Sequence, residues 1–312
     1  MPELPDITVY VEALQEVVAR RTIRSLEVRS PFVLRTVSPK PDDFAGRAVI
    51  DVSRMGKRVV LAFDDDHFAV IHLMIAGRLH WRAPNASAGG KMNLLAFRFG
   101  EGVLLLTEAS QRKRASLHLL HGADEVAALD PGGIEPLTAT PAAFAEAMRR
   151  ERHTVKRALT DPRLLSGIGN AYSDEILHRA RLSPFKLTTQ MDDAEMERLR
   201  AALVDVIGEW TDRLRTERNG RFPEKVTAFR PEMAVHGRFG LPCPVCGAPV
   251  QRIAYADNEA NYCAECQTGG KLLADRALSR LLHEDWPRSL AEMEEMRAGH
   301  RAVLGSPATG DG

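Results

Sequence analysis

The sequence has no excess of either charge, no long apolar run and no cysteine outside one short segment. Its 42 basic and 42 acidic side chains give a formal net charge of zero, so any affinity for nucleic acid has to come from local patches. No apolar run reaches the roughly 18 residues of a membrane-spanning helix. The first ten residues carry Glu3 and Asp6 where a signal peptide would be basic and then apolar. We therefore expect a cytoplasmic protein with no membrane association.

The cysteines form two Cys-x2-Cys pairs near the end of the chain. Cys243 and Cys246 are separated from Cys263 and Cys266 by a spacer that is long enough for a β-hairpin. In a reducing compartment this spacing predicts a zinc site and not a disulfide framework. Four thiolates complete a tetrahedron and leave no position for water, so the predicted zinc, one per chain, is structural.

The pattern of apolar residues predicts an α+β protein. A helix is expected over residues 5–21, followed by about eight short strands that suggest a β-sandwich. Five strands are clear, and they are Ile23–Val28, Arg58–Phe63, Phe68–Leu73, Leu94–Phe99 and Val103–Thr107. Helical patterns then take over, with helices expected at Pro141–Arg150, Thr154–Thr160, Asn170–Ala180 and Asp192–Leu214.

The change of pattern at Asp130-Pro131-Gly132-Gly133 marks the expected domain boundary. We expect a helix and β-sandwich domain at residues 1–131 and a helical domain at residues 132–240. A zinc finger at 241–270 and a helical extension at 271–312, with a disordered end at Ser306–Gly312, complete the chain.

The first three residues, Met1-Pro2-Glu3, suggest a chemistry. If Met1 is removed, Pro2 presents a secondary amine, and an α-amino group has an ordinary pKa of about 8 against about 10.4 for lysine. An uncharged amine can attack an electrophilic carbon, and Glu3 could supply the proton for ring opening of a sugar at C1′. The alternative is an ordinary chain start with a solvated Glu3.

Three separated features together resemble the formamidopyrimidine-DNA glycosylase and endonuclease VIII family of bifunctional base-excision repair enzymes. They are the start Met1-Pro2-Glu3-Leu4-Pro5, the segment Gly167-Ile168-Gly169-Asn170 with its flanking helices, and the four-cysteine hairpin. The resemblance covers roughly residues 1–267. It implies an N-terminal helix and β-sandwich, a helix–two-turn–helix domain carrying the zinc finger, and damaged double-stranded DNA in the cleft between them.

The resemblance also implies roles for individual residues. Pro2 would be the nucleophile at C1′ and Glu3 the acid, with Lys57 near the phosphates of the damaged nucleotide. His72, Lys156 and Asn170 match phosphate-contacting positions of the family. Without the resemblance, Lys57 would be interpreted as a surface lysine and His72 as a core histidine. Lys156 would be one more lysine, and Asn170 the start of a helix after a glycine turn, where free N–H groups favour an anion.

Several positions depart from the family pattern. The usual sixth residue, Glu, is Asp6, and Asn258 replaces an arginine that reaches DNA phosphates from the finger. The loop that fills the gap left by the damaged nucleotide is here basic, with Gln111 or Arg112 as candidates for entering the duplex or lying on its backbone. Ile75 stands where an intercalating methionine is frequent.

Our hypothesis is a DNA glycosylase and abasic-site lyase that removes a damaged base, most often an oxidised one, through an iminium on Pro2 followed by β- or β,δ-elimination. One alternative is a non-enzymatic protein that binds lesions or abasic DNA, and another is a glycosylase for bulky or crosslinked adducts. A third is a zinc-ribbon adaptor. We expect a nucleoid-associated monomer whose extension packs on the finger or binds a protein partner.

Overall fold

The computed structural model describes residues 1–224, 226–227, 230–255, 259–273 and 287–296. None of the helices within these ranges is long and apolar enough to cross a membrane.

Helix α1, Leu4–Val18, begins with a proline in its first turn, where the missing N–H costs nothing. The backbone N–H of Glu3 donates to the Asp6 carboxylate at 2.9 Å and closes that turn. The helix ends three residues before the predicted Arg21. Arg20 adopts a left-handed conformation, with φ of 61°, and its N–H donates to the Val49 carbonyl at 2.8 Å. Pairing with the sheet therefore ends the helix.

Eight strands form two antiparallel four-stranded sheets, which confirms the predicted β-sandwich. The sheets have the orders β1-β6-β7-β5 and β2-β3-β4-β8. The strands are β1 Ile23–Val28, β2 Val49–Met55, β3 Arg58–Phe63, β4 His67–His72, β5 Gly77–Arg82, β6 Asn93–Phe99, β7 Val103–Glu108 and β8 Ser116–His121. The clear apolar runs did not identify β2, β5 and β8.

Helix α1 shares its apolar residues between two cores. Ile7, Tyr10 and Leu14 pack with the inner faces of the two sheets. Leu4, less than one turn earlier, is buried in the core of the helical domain. The start of α1 therefore lies at the junction of the two domains.

Helix α2, Ala123–Ala127, packs on the β-sandwich, where Val126 packs against Val70 and Leu120. The helical domain contains α3 Pro141–Arg149, α4 Val155–Thr160, α5 Asn170–Arg179 and α6 Asp193–Arg218. The predicted capping box of α6 is present, because the Asp192 carboxylate accepts the Glu195 N–H at 2.7 Å and the Glu195 carboxylate accepts the Asp192 N–H at 3.2 Å. Helix α6 continues beyond the predicted Leu214 to a left-handed Asn219. A left-handed residue is a common helix end.

The cysteine region is a hairpin of β9 Val250–Ala254 and β10 Glu259–Cys263, followed by α7 Ala264–Thr268. Parts of the extension pack against it. Leu272 and Leu290 are buried with Ile253 and Tyr262, and the Tyr262 hydroxyl accepts the Leu273 N–H at 2.8 Å. Residues 290–296 are helical. Most of the helix predicted between Leu272 and Leu282, and the predicted disordered end, lie outside the described residues.

We expect Leu290→Ala to loosen the finger. Leu290 is 8% exposed, and truncating a buried leucine costs about 2 kcal/mol or more. The variant should release zinc to a colorimetric chelator faster than the unaltered protein. Met296→Ala is the matched control, because Met296 is 47% exposed on the same helix. Equal release rates for both variants would contradict a packing role for this segment.

Candidate active site at the domain junction

The Glu3 carboxylate lies at the N-terminus of α5. It accepts backbone N–H groups from Gly169 at 2.8 Å, Ala171 at 3.0 Å and Tyr172 at 3.2 Å. These groups have no partner inside the helix, and the positive end of the helix dipole favours an anion. The sequence had suggested that they bind a phosphate. In the structure the anion is Glu3, which is 2% exposed.

The two glycines before α5 permit this contact. The Leu4 N–H donates to the Gly167 carbonyl at 3.0 Å, and Gly167 has a φ of +84° with its Cβ position only 2.6 Å from Leu4 Cδ1. A Cβ on Gly169 would lie 2.4 Å from the carboxyl carbon of Glu3. A side chain at either position would push the N-terminus away from the helix.

Two amines lie beside this carboxylate. The Cβ position of Gly169 is 2.4 Å from Glu3 Oε1 and 2.6 Å from Lys57 Nζ, so both groups approach the same point. Burial lowers the pKa of Lys57, while the charge of Glu3 opposes that shift. Burial likewise lowers the pKa of the terminal amine at Met1, again with Glu3 opposing. Pro2 is buried next to them. The junction thus brings together Pro2, Glu3 and Lys57.

Asp6 is a buried acid with an incomplete set of partners. Its Oδ2 accepts the Glu3 N–H, while its Oδ1 has no hydrogen bond among the described residues and lies 3.9 Å from Arg230. Burial raises the pKa of Asp6 to about 6, although the Glu3 N–H and Arg230 favour the charged form. Sequence analysis missed Arg230, which also pairs with Glu217 at 2.7 Å.

A cavity of about 270 Å³ opens beside this group. Its walls come from α1, from the end of α6 and from the segment that follows α6. The lining residues are Asp6, Val9, Leu214, Glu217, Arg218, Arg221, Phe222, Pro223, Glu224, Val226 and Arg230. Because Asp6 is hydrogen-bonded to the backbone of Glu3, the cavity adjoins the N-terminal residues.

Lys156 and Asn170 have partners inside the protein. The Lys156 ammonium donates to Asp174 Oδ1 at 2.5 Å and to Ser173 Oγ at 3.0 Å. Asp174 also lies 2.8 Å from the ring of His236. The Asn170 side chain donates to the Glu259 carbonyl of the zinc hairpin at 2.8 Å. The predicted phosphate contacts of Lys156 and Asn170 therefore stay predictions, and Asp174 is a partner that spacing did not identify.

His72 is half-buried at the end of β4. Burial, with Arg58 and Lys57 nearby, lowers its pKa to about 4 in the protein without DNA. Its predicted contact is not tested by this geometry.

The basic loop after β7 is built around one buried carboxylate. Glu108, 1% exposed, accepts the N–H groups of Arg114 at 2.9 Å and Ala115 at 3.1 Å and the hydroxyl of Ser110 at 2.9 Å. Gln111 and Arg112 are left exposed. Their roles at DNA stay predictions, and Asn258 lies outside the described residues.

The four cysteine sulfurs converge as a zinc site requires. Sγ of Cys246 and Cys263 are 3.4 Å apart and those of Cys243 and Cys266 are 3.9 Å apart, and all four ligand atoms lie within 4.8 Å of one another. Zinc–sulfur bonds of about 2.3 Å in a tetrahedron require sulfur separations near 3.8 Å. His178 of α5 lies 3.3 Å from the Cys243 sulfur, so the finger is joined directly to the helix that holds Glu3.

Three family models match successive parts of the chain. Residues 1–116 match the N-terminal domain of formamidopyrimidine-DNA glycosylase. Residues 133–214 match the H2TH domain of the same glycosylase, and residues 240–269 match a zinc finger found in FPG and IleRS. The last match agrees with the converging cysteines and with one structural zinc ion.

Individual proteins agree with these matches. A Mycobacterium tuberculosis protein described as an uncharacterized formamidopyrimidine-DNA glycosylase-like protein is 44% identical over 128 residues, which are 41% of this chain and 79% of that protein. The formamidopyrimidine-DNA glycosylase of Salinispora arenicola is 33% identical over 282 residues, covering 86% of this chain and 96% of its own. The solved complex of the Lactococcus lactis enzyme with DNA containing FAPY-dG has 25% identity and a TM-score of 0.76, covering 85% of this chain and 100% of that chain.

The raised pKa of Asp6 predicts a pH-dependent effect of Asp6→Asn. The folded pKa of about 6 lies above the ordinary 3.8, so between these values the folded state holds a proton that the unfolded state has lost. Stability from this group therefore falls as pH rises through that window. The free energy of unfolding of Asp6→Asn, minus that of the unaltered protein, should increase by about 2 kcal/mol between about pH 4 and 6.

Urea unfolding at several pH values measures this difference. Asp205→Asn, which removes an exposed aspartate on α6, is the matched control. A flat difference for Asp6→Asn would show that Asp6 ionises in the folded protein as it does in the unfolded chain.

Proposed function

The chain belongs to the formamidopyrimidine-DNA glycosylase family, a family of DNA N-glycosylases, and we propose that it removes damaged bases from double-stranded DNA and then cleaves the abasic site. Pro2, once free of Met1, is the nucleophile. The observation that carries this proposal is the Glu3 carboxylate, which three backbone N–H groups hold beside the N-terminal residues.

The proposed reaction begins when the uncharged Pro2 amine attacks C1′ of the damaged nucleotide. Glu3 accepts the proton that the Pro2 nitrogen loses and passes it to the deoxyribose ring oxygen, so the sugar opens, while the base leaves with the electrons of its glycosidic bond and takes a proton from water. The nitrogen and C1′ are then joined as an iminium. An α-amino group has a lower ordinary pKa than a lysine, so a larger fraction of it is uncharged at neutral pH and able to attack.

The same iminium accounts for strand cleavage. It acidifies the proton on C2′, and loss of that proton expels the 3′ phosphate by β-elimination. A second elimination can release the 5′ phosphate, and water finally returns the amine. Glu3 is placed to carry protons in both directions, because it lies within the site and away from bulk water.

A damaged base has to leave the duplex before an N-terminal amine can reach C1′. The cavity of about 270 Å³ next to Asp6 is of suitable size for one base. Its apolar residues, Val9 and Phe222 among them, can pack on a ring, and Asp6 and Arg230 also lie on its wall. We propose that the flipped base enters this cavity.

Contacts to DNA have to be local in a chain with no net charge. Lys57 beside Glu3, together with the exposed Arg112 in the basic loop, supplies positive charge. We propose that Lys57 and His72 contact phosphates next to the flipped nucleotide. For Lys156 and Asn170 we propose an additional, indirect effect on DNA binding. Their present partners join α5 to α4 and to the zinc hairpin, so the two side chains hold these elements together.

A second candidate function is binding of damaged or abasic DNA without turnover. Asp6 favours it, since Asp6 is shorter than the usual Glu and its charged form is disfavoured below about pH 6. The trapping experiment below separates the two, because a binder would shift the mobility of DNA without forming a covalent adduct.

We expect borohydride to trap a covalent adduct on Pro2. Duplexes with an abasic site or an oxidised base are incubated with protein shown by mass to lack Met1, reduced, and digested for peptide mapping. The adduct should be on the N-terminal peptide. The control is the same chain with Met1 retained, which blocks the Pro2 nitrogen in a peptide bond. Absence of any adduct from folded, zinc-loaded protein would exclude the iminium mechanism.

Gly169→Ala should lower the rate of base excision. The new methyl group would displace Glu3 and Lys57 from positions only 2.4 and 2.6 Å away, and a shift of about 1 Å in a reacting group can lower the rate about 100-fold. Single-turnover excision measures the loss. Gly208→Ala is the control, because nothing lies within 4 Å of that Cβ position. Equal rates for the two variants would argue against a role for the Glu3 position.

A further inference from the structure

One carboxylate joins the segment after α6 to the β-sandwich. Glu224 receives both terminal nitrogens of Arg82, with Nη1 at 2.5 Å from Oε1 and Nη2 at 2.8 Å from Oε2. The His80 ring lies 2.7 Å from Oε2 on one side and 3.0 Å from the Thr107 hydroxyl on the other. Arg82 and His80 belong to β5 and Thr107 to β7. We call the Glu224, Arg82 and His80 group the latch.

The latch has a geometry that a typical surface ion pair lacks. Pairs at a surface usually contribute little to stability, but a bidentate arginine–carboxylate pair also fixes orientation. The Arg82 side chain lowers the pKa of Glu224, and His80 adds to the effect. Glu224 is therefore charged at neutral pH and holds both partners.

The segment held by the latch forms a wall of the cavity. Phe222, Pro223 and Glu224 line it opposite Asp6 and Val9 of α1. Phe222 also packs on Tyr10, with ring centroids 5.9 Å apart, and Val226 is buried in the sandwich core. The wall thus has apolar contacts on both sides of Glu224, and the latch is its polar attachment.

We propose that Glu224 is a positioning residue, which sets the cavity wall in place before DNA arrives and thereby favours nucleotides that still carry a base. This inference rests on the proposed function of the cavity. An abasic nucleotide has no base to place in the cavity, so its cleavage does not need the wall. Excision of a damaged base does need the wall, because the base enters the cavity.

The kinetic test uses Glu224→Ala and Arg82→Ala on two substrates. If the wall is in place in about one tenth of the variant molecules, excision of an oxidised base at subsaturating protein should fall about tenfold. Cleavage of an abasic duplex should change less than about twofold. The charge-reversed pair Arg82→Glu with Glu224→Arg should recover part of the excision rate. Glu232→Ala, an exposed glutamate outside the cavity, is the matched control.

The positioning role, the proposed function and the latch are tested by different outcomes. Equal losses on both substrates, or no loss of excision in Glu224→Ala, would overturn the positioning role. If the unaltered protein cleaves neither substrate, the proposed function fails, and hydrogen exchange of the DNA-free protein still tests the latch. Peptides within residues 217–224 should exchange faster in Glu224→Ala than in Glu232→Ala. Equal exchange would overturn the latch itself.

Discussion

The hydrogen bonds between the Glu3 carboxylate and the first turn of α5 are the interaction on which the rest of the structure depends. A carboxylate taken out of water is costly unless its oxygens are satisfied, and here three backbone N–H groups satisfy them. Separating the two domains would leave both the anion and the N–H groups without partners. The start of α1, with Leu4 in one core and Ile7 in the other, is therefore held between the domains.

This arrangement explains how a chain with no net charge can present a site for an anionic polymer. Several basic side chains are already paired with acids inside the protein, as Lys156 is with Asp174 and Arg230 with Glu217. The first pair joins α4 to α5, and the second joins the segment after α6 to the end of α6. Positive charge near the N-terminal amine comes instead from a few residues such as Lys57, whose Nζ lies close to Gly169 at the start of α5.

The zinc finger belongs to the same network and is not an appendage. His178 lies against the Cys243 sulfur, and Asn170 donates to the Glu259 carbonyl, so both ends of α5 contact the cysteine region. Leu290 of the extension then covers the other side of the hairpin. Helix α5 consequently connects the structural metal site to Glu3, since its N-terminus holds the carboxylate and its last turn touches the finger.

The predicted fold class and the zinc ligands followed from local signals, namely Cys-x2-Cys spacing, helical periodicity in α6, and alternating or fully apolar strands such as β3. The candidate residues Pro2, Glu3 and Lys57 came from the resemblance to the family. Other features depend on contacts between distant residues. Examples are the pairing of Asp174 with Lys156, the Asp6 oxygen that has no hydrogen bond among the described residues, the latch on Glu224 and the early end of α1. These features could be found only in the tertiary structure, because burial and hydrogen bonding between remote segments produce no periodic pattern in the sequence.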